Sequence, residues 1–122
     1  MRLRCVNIPT VHVEEMRGFY SLVLGAPYDG SHGGPDRYEI PAGEKMWVVV
    51  CRVSTPVVVH PESCGLEFEV DDVDAEYRRL LQAGVKIESP PTTLLWHWRF
   101  VALRDPDGNN VNLVQFVGEK PV

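Results

Sequence analysis

Residues 65–70 read GLEFEV, a strict alternation of apolar with charged or small positions, and the stretch DDVDAEYRRLLQAG that follows has a helical period. Alternation with a period of two makes a half-buried strand. Asp71 or Asp72 is placed to cap the helix, and Asp74 and Glu76 suit the positive end of its dipole. Tyr77, Leu80 and Leu81 form its expected buried face, and Gly84 ends it. Three strands are expected afterwards, at 85–88, at roughly 96–104 and at 109–117. The constraint is that this order has already occurred once. Residues 2–8 form a β-like run ending at Pro9. A helix follows at roughly 13–24, with Met16, Phe19, Tyr20 and Val23 spaced by three and four, and it stops at Gly25. Short strands are expected near 26–30, 36–41 and 45–53. STPVVVHPES, 54–63, carries two prolines and reads as a connector. The chain therefore reads β-α-β-β-β twice, with modules at about 1–53 and 64–118. Each module alone would expose one sheet face, so pairing the two completes a core.

At 122 residues the chain is expected to form one α+β domain of two similar halves. Its net charge of -5 argues against a nucleic-acid partner, which would need clustered Lys and Arg. No apolar run approaches the ~20 residues that cross a bilayer, and MRLRCVNIPTV lacks the apolar core of a signal peptide. Three cysteines (Cys5, Cys51, Cys64) without CxxC spacing favour reduced thiols and a cytoplasmic setting over a disulfide framework. GxSxG, Walker and GxGxxG motifs are missing, so the serine-hydrolase and nucleotide-binding signatures are not met.

EVDDVDAEYRRLLQAGVKIESPP, then a tryptophan, then RDPDGNNVNLVQF, resembles the second half of a glyoxalase/bleomycin-resistance/dioxygenase protein of the vicinal oxygen chelate superfamily. The earlier FYSLVLGA is similar to the FY-x-x-x-LG helix end common in the first half of such proteins. The resemblance implies two βαβββ modules forming a curled sheet around a ligand cup, usually in a homodimer. In many members a divalent metal sits in that cup, held by a His in the first strand, a His opening the fifth and a Glu in the last. Those positions fall here on Cys5, Gly65 and Asn112.

This set is poorly suited to a metal. Glycine offers no side-chain donor, a neutral amide replaces a carboxylate badly, and a lone thiolate is weak. Cys5 is as readily a small apolar residue of the core. His12 reads as a cap at the start of the first helix, His60 as solvated in the connector, and His97 as turned away from the face of Trp96 and Trp98 by strand alternation. No metal or other cofactor is therefore expected. The turn Asp105-Pro106-Asp107-Gly108 reads as structural, with Pro fixing φ and Gly accepting a positive one.

In the family register, alternation gathers Cys5, Asn7, Trp47, Val49, Cys51, Glu67 and Glu69 on the cup face, with Trp96, Trp98, Phe100, Asn112, Val114 and Phe116. Val6, Ile8, Leu66, Phe68, Val70, Val101, Leu103, Val111 and Leu113 take the opposite face, apolar enough to pack on the two helices. The expected ligand-binding residues are Trp47, Cys51, Glu67, Glu69, Trp96, Trp98, Phe100, Asn112 and Phe116. Aromatic rings with two carboxylates favour a planar or cationic organic ligand. The expectation is a metal-free small-molecule-binding protein, a homodimer resembling the drug-sequestering bleomycin-resistance branch. Two other readings stay open. One is a lyase, isomerase or dioxygenase with unusual metal ligands, or a metal-free enzyme using Glu67 as base. The other is a small partner subunit whose aromatic face fills an interface with protein.

Overall fold

A computed structural model describes residues 1–28, 34–60, 62, 65–94 and 97–118. Among these residues the chain forms two helices and two small sheets, a mixed α+β architecture without a closed barrel. The elements fall into two compact units, Met1–Val59 and His60–Val122, and residues 53–60 carry neither helix nor strand.

The first unit contains β1 (Cys5–Thr10), α1 (Val13–Leu24), one 3-10 turn (Gly34–Asp36), β2 (Arg37–Pro41) and β3 (Trp47–Arg52). Its sheet has the order β1-β3-β2, with β1 parallel and β2 antiparallel to the central strand. Val48, Val49 and Val50 are all buried, as a strand paired on both edges demands. On α1 the buried residues are Val13, Met16, Tyr20 and Val23, a stripe at spacings of three and four that packs on β2 and β3. Fully burying a side chain of the size of Tyr20 or Met16 contributes roughly 1.5–3 kcal/mol. Gly25 ends the helix at φ 63°, a left-handed conformation that glycine adopts without steric cost, and its N–H returns to the Leu22 carbonyl.

Three expectations change in this unit. Pro9 lies inside β1 rather than ending it, because β1 is an edge strand and the ladder can spare its missing N–H. Residues 26–28 carry no strand, and the rest of the strand expected near 26–30 lies outside the described residues. His12 occupies the N-cap position of α1, but its side chain makes no capping hydrogen bond. Its backbone N–H instead donates to Thr10 Oγ1 at 2.9 Å.

The second unit contains β4 (Gly65–Glu69), α2 (Val73–Gln82), β5 (Ile87–Leu94), β6 (Trp98–Arg104) and β7 (Asn110–Phe116), in the sheet order β4-β7-β6-β5. Asp72 is the cap of α2, accepting from the Ala75 N–H at 3.1 Å. Gln115 of β7 accepts from the Val73 N–H at 3.0 Å, and Arg99 of β6 grips Asp74 with two bonds of 2.9 Å. Helix and sheet are thus joined by two residue pairs and three hydrogen bonds besides their apolar contact.

Two readings of this unit are corrected. Leu81 is exposed, because at about 100° per residue it is rotated off the Val73–Tyr77–Leu80 stripe. The strand expected at 85–88 runs instead from Ile87 to Leu94 through Pro90 and Pro91. An edge strand with register irregularities between Ile87 and Thr92 tolerates both prolines.

The hairpin joining β6 to β7 is built on Asp105. This carboxylate is buried, accepts from the N–H groups of Asp107 (3.0 Å) and Asn109 (2.9 Å), and takes the Asn109 side-chain amide at 2.8 Å. Gly108 accepts the positive φ of 93° that the turn requires.

Candidate functional site

Directly paired residues share a sheet face, so the register of the second unit decides which side chains can meet. Glu67 lies opposite Asn112 and Glu69 opposite Val114 in the parallel pair of β4 and β7. Across the next ladder Phe100 faces Val114 and Trp98 faces Phe116, and Leu94 of β5 faces Trp98. The other side of the sheet carries Val101, Leu103, Val111 and Leu113, all buried on the helix side. The face assignments expected from alternation hold for the paired residues of β4, β6 and β7.

On the face away from α2 a cavity of about 190 Å³ is lined by Glu67, Leu94, Trp98, Phe100, Asn112 and Val114. Glu67, Trp98, Phe100 and Asn112 are therefore brought together as the alternation implies. Glu69 and Phe116 share the face but lie outside the cavity lining, and Trp96 falls outside the described residues. Phe116 packs its ring against Trp98 at 5.2 Å, edge to face, and both remain partly exposed. His97 does not turn away: its ring stacks on Phe116 with centroids 6.0 Å apart and planes 4° from parallel. Residue 97 precedes β6, in a turn where strand alternation does not apply. Leu94 is the lining residue that sequence reasoning missed, since the Ser-Pro-Pro run hid the continuation of β5.

The chemistry of this cavity follows from its walls. Leu94, Trp98, Phe100 and Val114 offer flat apolar surface. An ionised Glu67 only accepts hydrogen bonds, whereas the Asn112 amide both donates and accepts. The arrangement can hold a ring by its face and a cationic or N–H-bearing edge by the carboxylate.

Trp47 and Cys51 stand in the first unit, on the face of β3 away from α1. That face also carries Cys5 opposite Trp47, Asn7 opposite Val49, and Glu39 on the other side of Val49. The Cys51 thiol donates to the Ile8 carbonyl at 3.8 Å, and Cys5 and Cys51 are both free thiols. The Arg4 guanidinium lies 4.7 Å above the Trp47 ring and pairs with Glu39 at 3.2 Å, while Arg37 pairs with Glu39 at 2.7 Å. Arg37, and after it Arg4, hold the Glu39 carboxyl below the ordinary carboxylate range against the opposing effect of burial. Sequence reasoning overlooked this cluster, although DRYEIP contained its signal. With Tyr38 and Ile40 turned to the helix, Arg37 and Glu39 must share the other face.

The metal-ligand positions implied by the resemblance do not fit a divalent cation. Gly65 has no donor, and a Cβ built there would already stand 3.3 Å from the Asn110 Cβ. Asn112 is a neutral amide within the cavity lining. Among the described residues no three His, Cys, Asp or Glu side chains gather as a metal site.

Each sheet, backed by one helix and presenting a polar-aromatic face on its other side, defines a glyoxalase-like protein of the α+β class. The profile of the Glyoxalase/Bleomycin resistance protein/Dioxygenase superfamily matches residues 2–113, and the chain belongs to that superfamily. No curated protein matches it in sequence. Solved structures with the same fold include a glyoxalase/bleomycin resistance protein/dioxygenase family enzyme from Burkholderia phytofirmans PsJN. It is 22% identical, with a TM-score of 0.76 over 96% of this chain and 100% of that one. A virulence protein from Salmonella typhimurium is also 22% identical, with a TM-score of 0.75 over 96% and 98% of the two chains. An integron cassette protein from the mobile metagenome of V. cholerae reaches 0.75 at 20% identity, covering 94% of each chain. At such identities the likeness is one of fold.

Proposed function

We propose that this chain is a metal-free binding protein for a small aromatic or cationic organic molecule, acting by sequestration in the manner of a drug-binding protein. The observation that carries the reading is the joining of Glu67 with Trp98, Phe100 and Asn112 around one cavity. At about 190 Å³ the cavity suits a single-ring head group, smaller than the ~300 Å³ at which drug-sized pockets begin. The rest of a ligand would lie over the exposed Leu94, Trp98 and Phe116. Glu69, on the same face beyond the lining, adds negative charge that attracts a cation to it. We place the protein in the cytoplasm as a homodimer, with no nucleic-acid or membrane partner. Three things support that setting: free thiols, a net charge of -5, and no helix among the described residues long and apolar enough to cross a membrane.

A thermal-shift panel of planar cations, neutral isosteres and aromatic acids tests the binding. Cations should raise the melting temperature most, and equal responses from all three classes would refute the charge preference. Light scattering should give twice 13.8 kDa, and a particle of 13.8 kDa would exclude the dimer.

A second reading draws on the same carboxylate. Glu67 is exposed at the cavity and could remove a proton from a bound carbon acid without a metal. Turnover in chelated protein that Glu67→Gln abolishes would establish it over sequestration.

A further inference from the structure

The first unit holds a second polar cluster that the aromatic cavity does not use. Glu39 is buried, its side chain 7% exposed, beneath two arginines that are 49% and 34% exposed. Arg4 gives only Nη2 to the two carboxylate oxygens, at 3.2 and 3.3 Å, and Arg37 gives only Nη1, at 2.7 Å. A guanidinium carries five N–H donors in a fixed fork, and among the described residues Arg4 spends a further donor only on the neighbouring Cys5 side chain, so both arginines keep donors to spare. Here two cations share one anion, leaving one net positive charge on this sheet face in a chain of net charge -5. Among the described residues Glu39 is the one carboxylate paired with either arginine.

The geometry also reduces the cost of binding. Glu39 fixes one terminal nitrogen of each arginine, and Trp47 supports the Arg4 plane from 4.7 Å. Two long side chains are therefore ordered before any ligand arrives, which removes part of the rotamer entropy that a charge-assisted contact normally loses. A planar carboxylate accepts parallel bonds from such a fork.

We propose that Arg4 and Arg37, held by Glu39, form a subsite for the carboxylate of a small organic acid. Asn7, exposed on the same face beside Val49, adds an amide able to bond a neighbouring polar atom. The inference is independent of the cation-binding reading, since its residues belong to the other unit and carry the opposite charge.

The test is a titration of the ¹⁵N-labelled full chain with sodium benzoate at low ionic strength, following the arginine Nε–H resonances. Benzamidine serves as the charge-reversed control. Benzoate should shift the Arg4 and Arg37 signals saturably, benzamidine should leave them unmoved, and Arg37→Gln should weaken benzoate about tenfold, as loss of a charge-assisted bond implies. Non-saturable shifts, an equal response to benzamidine, or unchanged affinity in Arg37→Gln would overturn the proposal. Should Arg37→Gln fail to fold, Arg37→Lys keeps the charge and removes the fork. Its affinity must then fall severalfold, and an unchanged value would equally overturn the subsite.

Discussion

Glu67 and Asn112 stand opposite one another across the parallel pair of β4 and β7, and both side chains line the cavity that Trp98 and Phe100 wall. The pairing puts a neutral amide where the family resemblance implies a metal-ligating carboxylate, with the Glu67 carboxylate directly beside it. Replacing Glu67 with Gln keeps the shape and removes the charge. Affinity for a planar cation should fall by about 10- to 100-fold, the 1.5–3 kcal/mol typical of a charged hydrogen bond. Stability should stay within about 0.5 kcal/mol, since Glu67 is exposed. Calorimetric titration and urea denaturation of the same variant measure the two effects separately.

The Arg99–Asp74 fork ties β6 to α2 and gives acid stability a defined direction. Arg99 holds the Asp74 carboxyl below its ordinary value of 3.8, so the folded state binds that proton less readily than the unfolded state. The stabilisation is fully present above pH 3.8 and is lost as pH falls through the lower folded value. Because the pair is about a third exposed, solvent screening limits it to roughly 0.5–1 kcal/mol. Asp74→Asn should lower stability by that amount at pH 7 and converge with the parent at strongly acid pH, as urea midpoints across pH will register.

Leu80 and Leu81 are neighbours with opposite fates. Leu80 is fully buried, so Leu80→Ala should cost about 2–5 kcal/mol. Leu81 is 48% exposed, and Leu81→Ala should cost about 0.5 kcal/mol or less. Denaturant midpoints that moved equally for both would contradict the helix orientation.

These two leucines also mark how far the sequence was legible. The helical stripe through Tyr77 and Leu80 was readable from period alone, but three apolar positions do not say where its edge lies. Asp72 against Asp71 was equally open until the Ala75 N–H chose one of them. Strand alternation assigned Glu67, Phe100 and Asn112 to one face because that rule is local to a strand. It failed at His97, which sits just before β6, and at Leu94, where two prolines resemble a break unless the strand is known to lie at an edge. Alternation in DRYEIP put Arg37 and Glu39 on one face, but the arrival of Arg4 beside them was out of reach for a different reason. It depends on which strands are neighbours, and the order β1-β3-β2 is not written in any one segment.

Restoring the family ligands tests the assigned register. Within the second unit, Gly65→His and Asn112→Glu together should create weak affinity for Zn²⁺, since imidazole and carboxylate are both ligands of that ion. The Gly65 substitution requires Asn110 to give by a few tenths of an ångström, because the new Cβ would lie 3.3 Å from it. Competition with a chromophoric chelator should detect zinc binding in the double variant, and a variant indistinguishable from the parent would mean that Gly65 and Asn112 do not converge.

The central claim, that this member of the superfamily binds its ligand without a metal, is tested most directly by one titration. Protein stripped with EDTA and verified metal-free by elemental analysis is titrated with a planar aromatic cation while tryptophan fluorescence is followed. Trp98 lines the cavity, so binding should quench emission saturably, with the same affinity before and after stripping and after adding back Zn²⁺ or Mn²⁺. A stoichiometric metal in the purified protein, or quenching that vanishes on stripping and returns with the metal, would contradict the account.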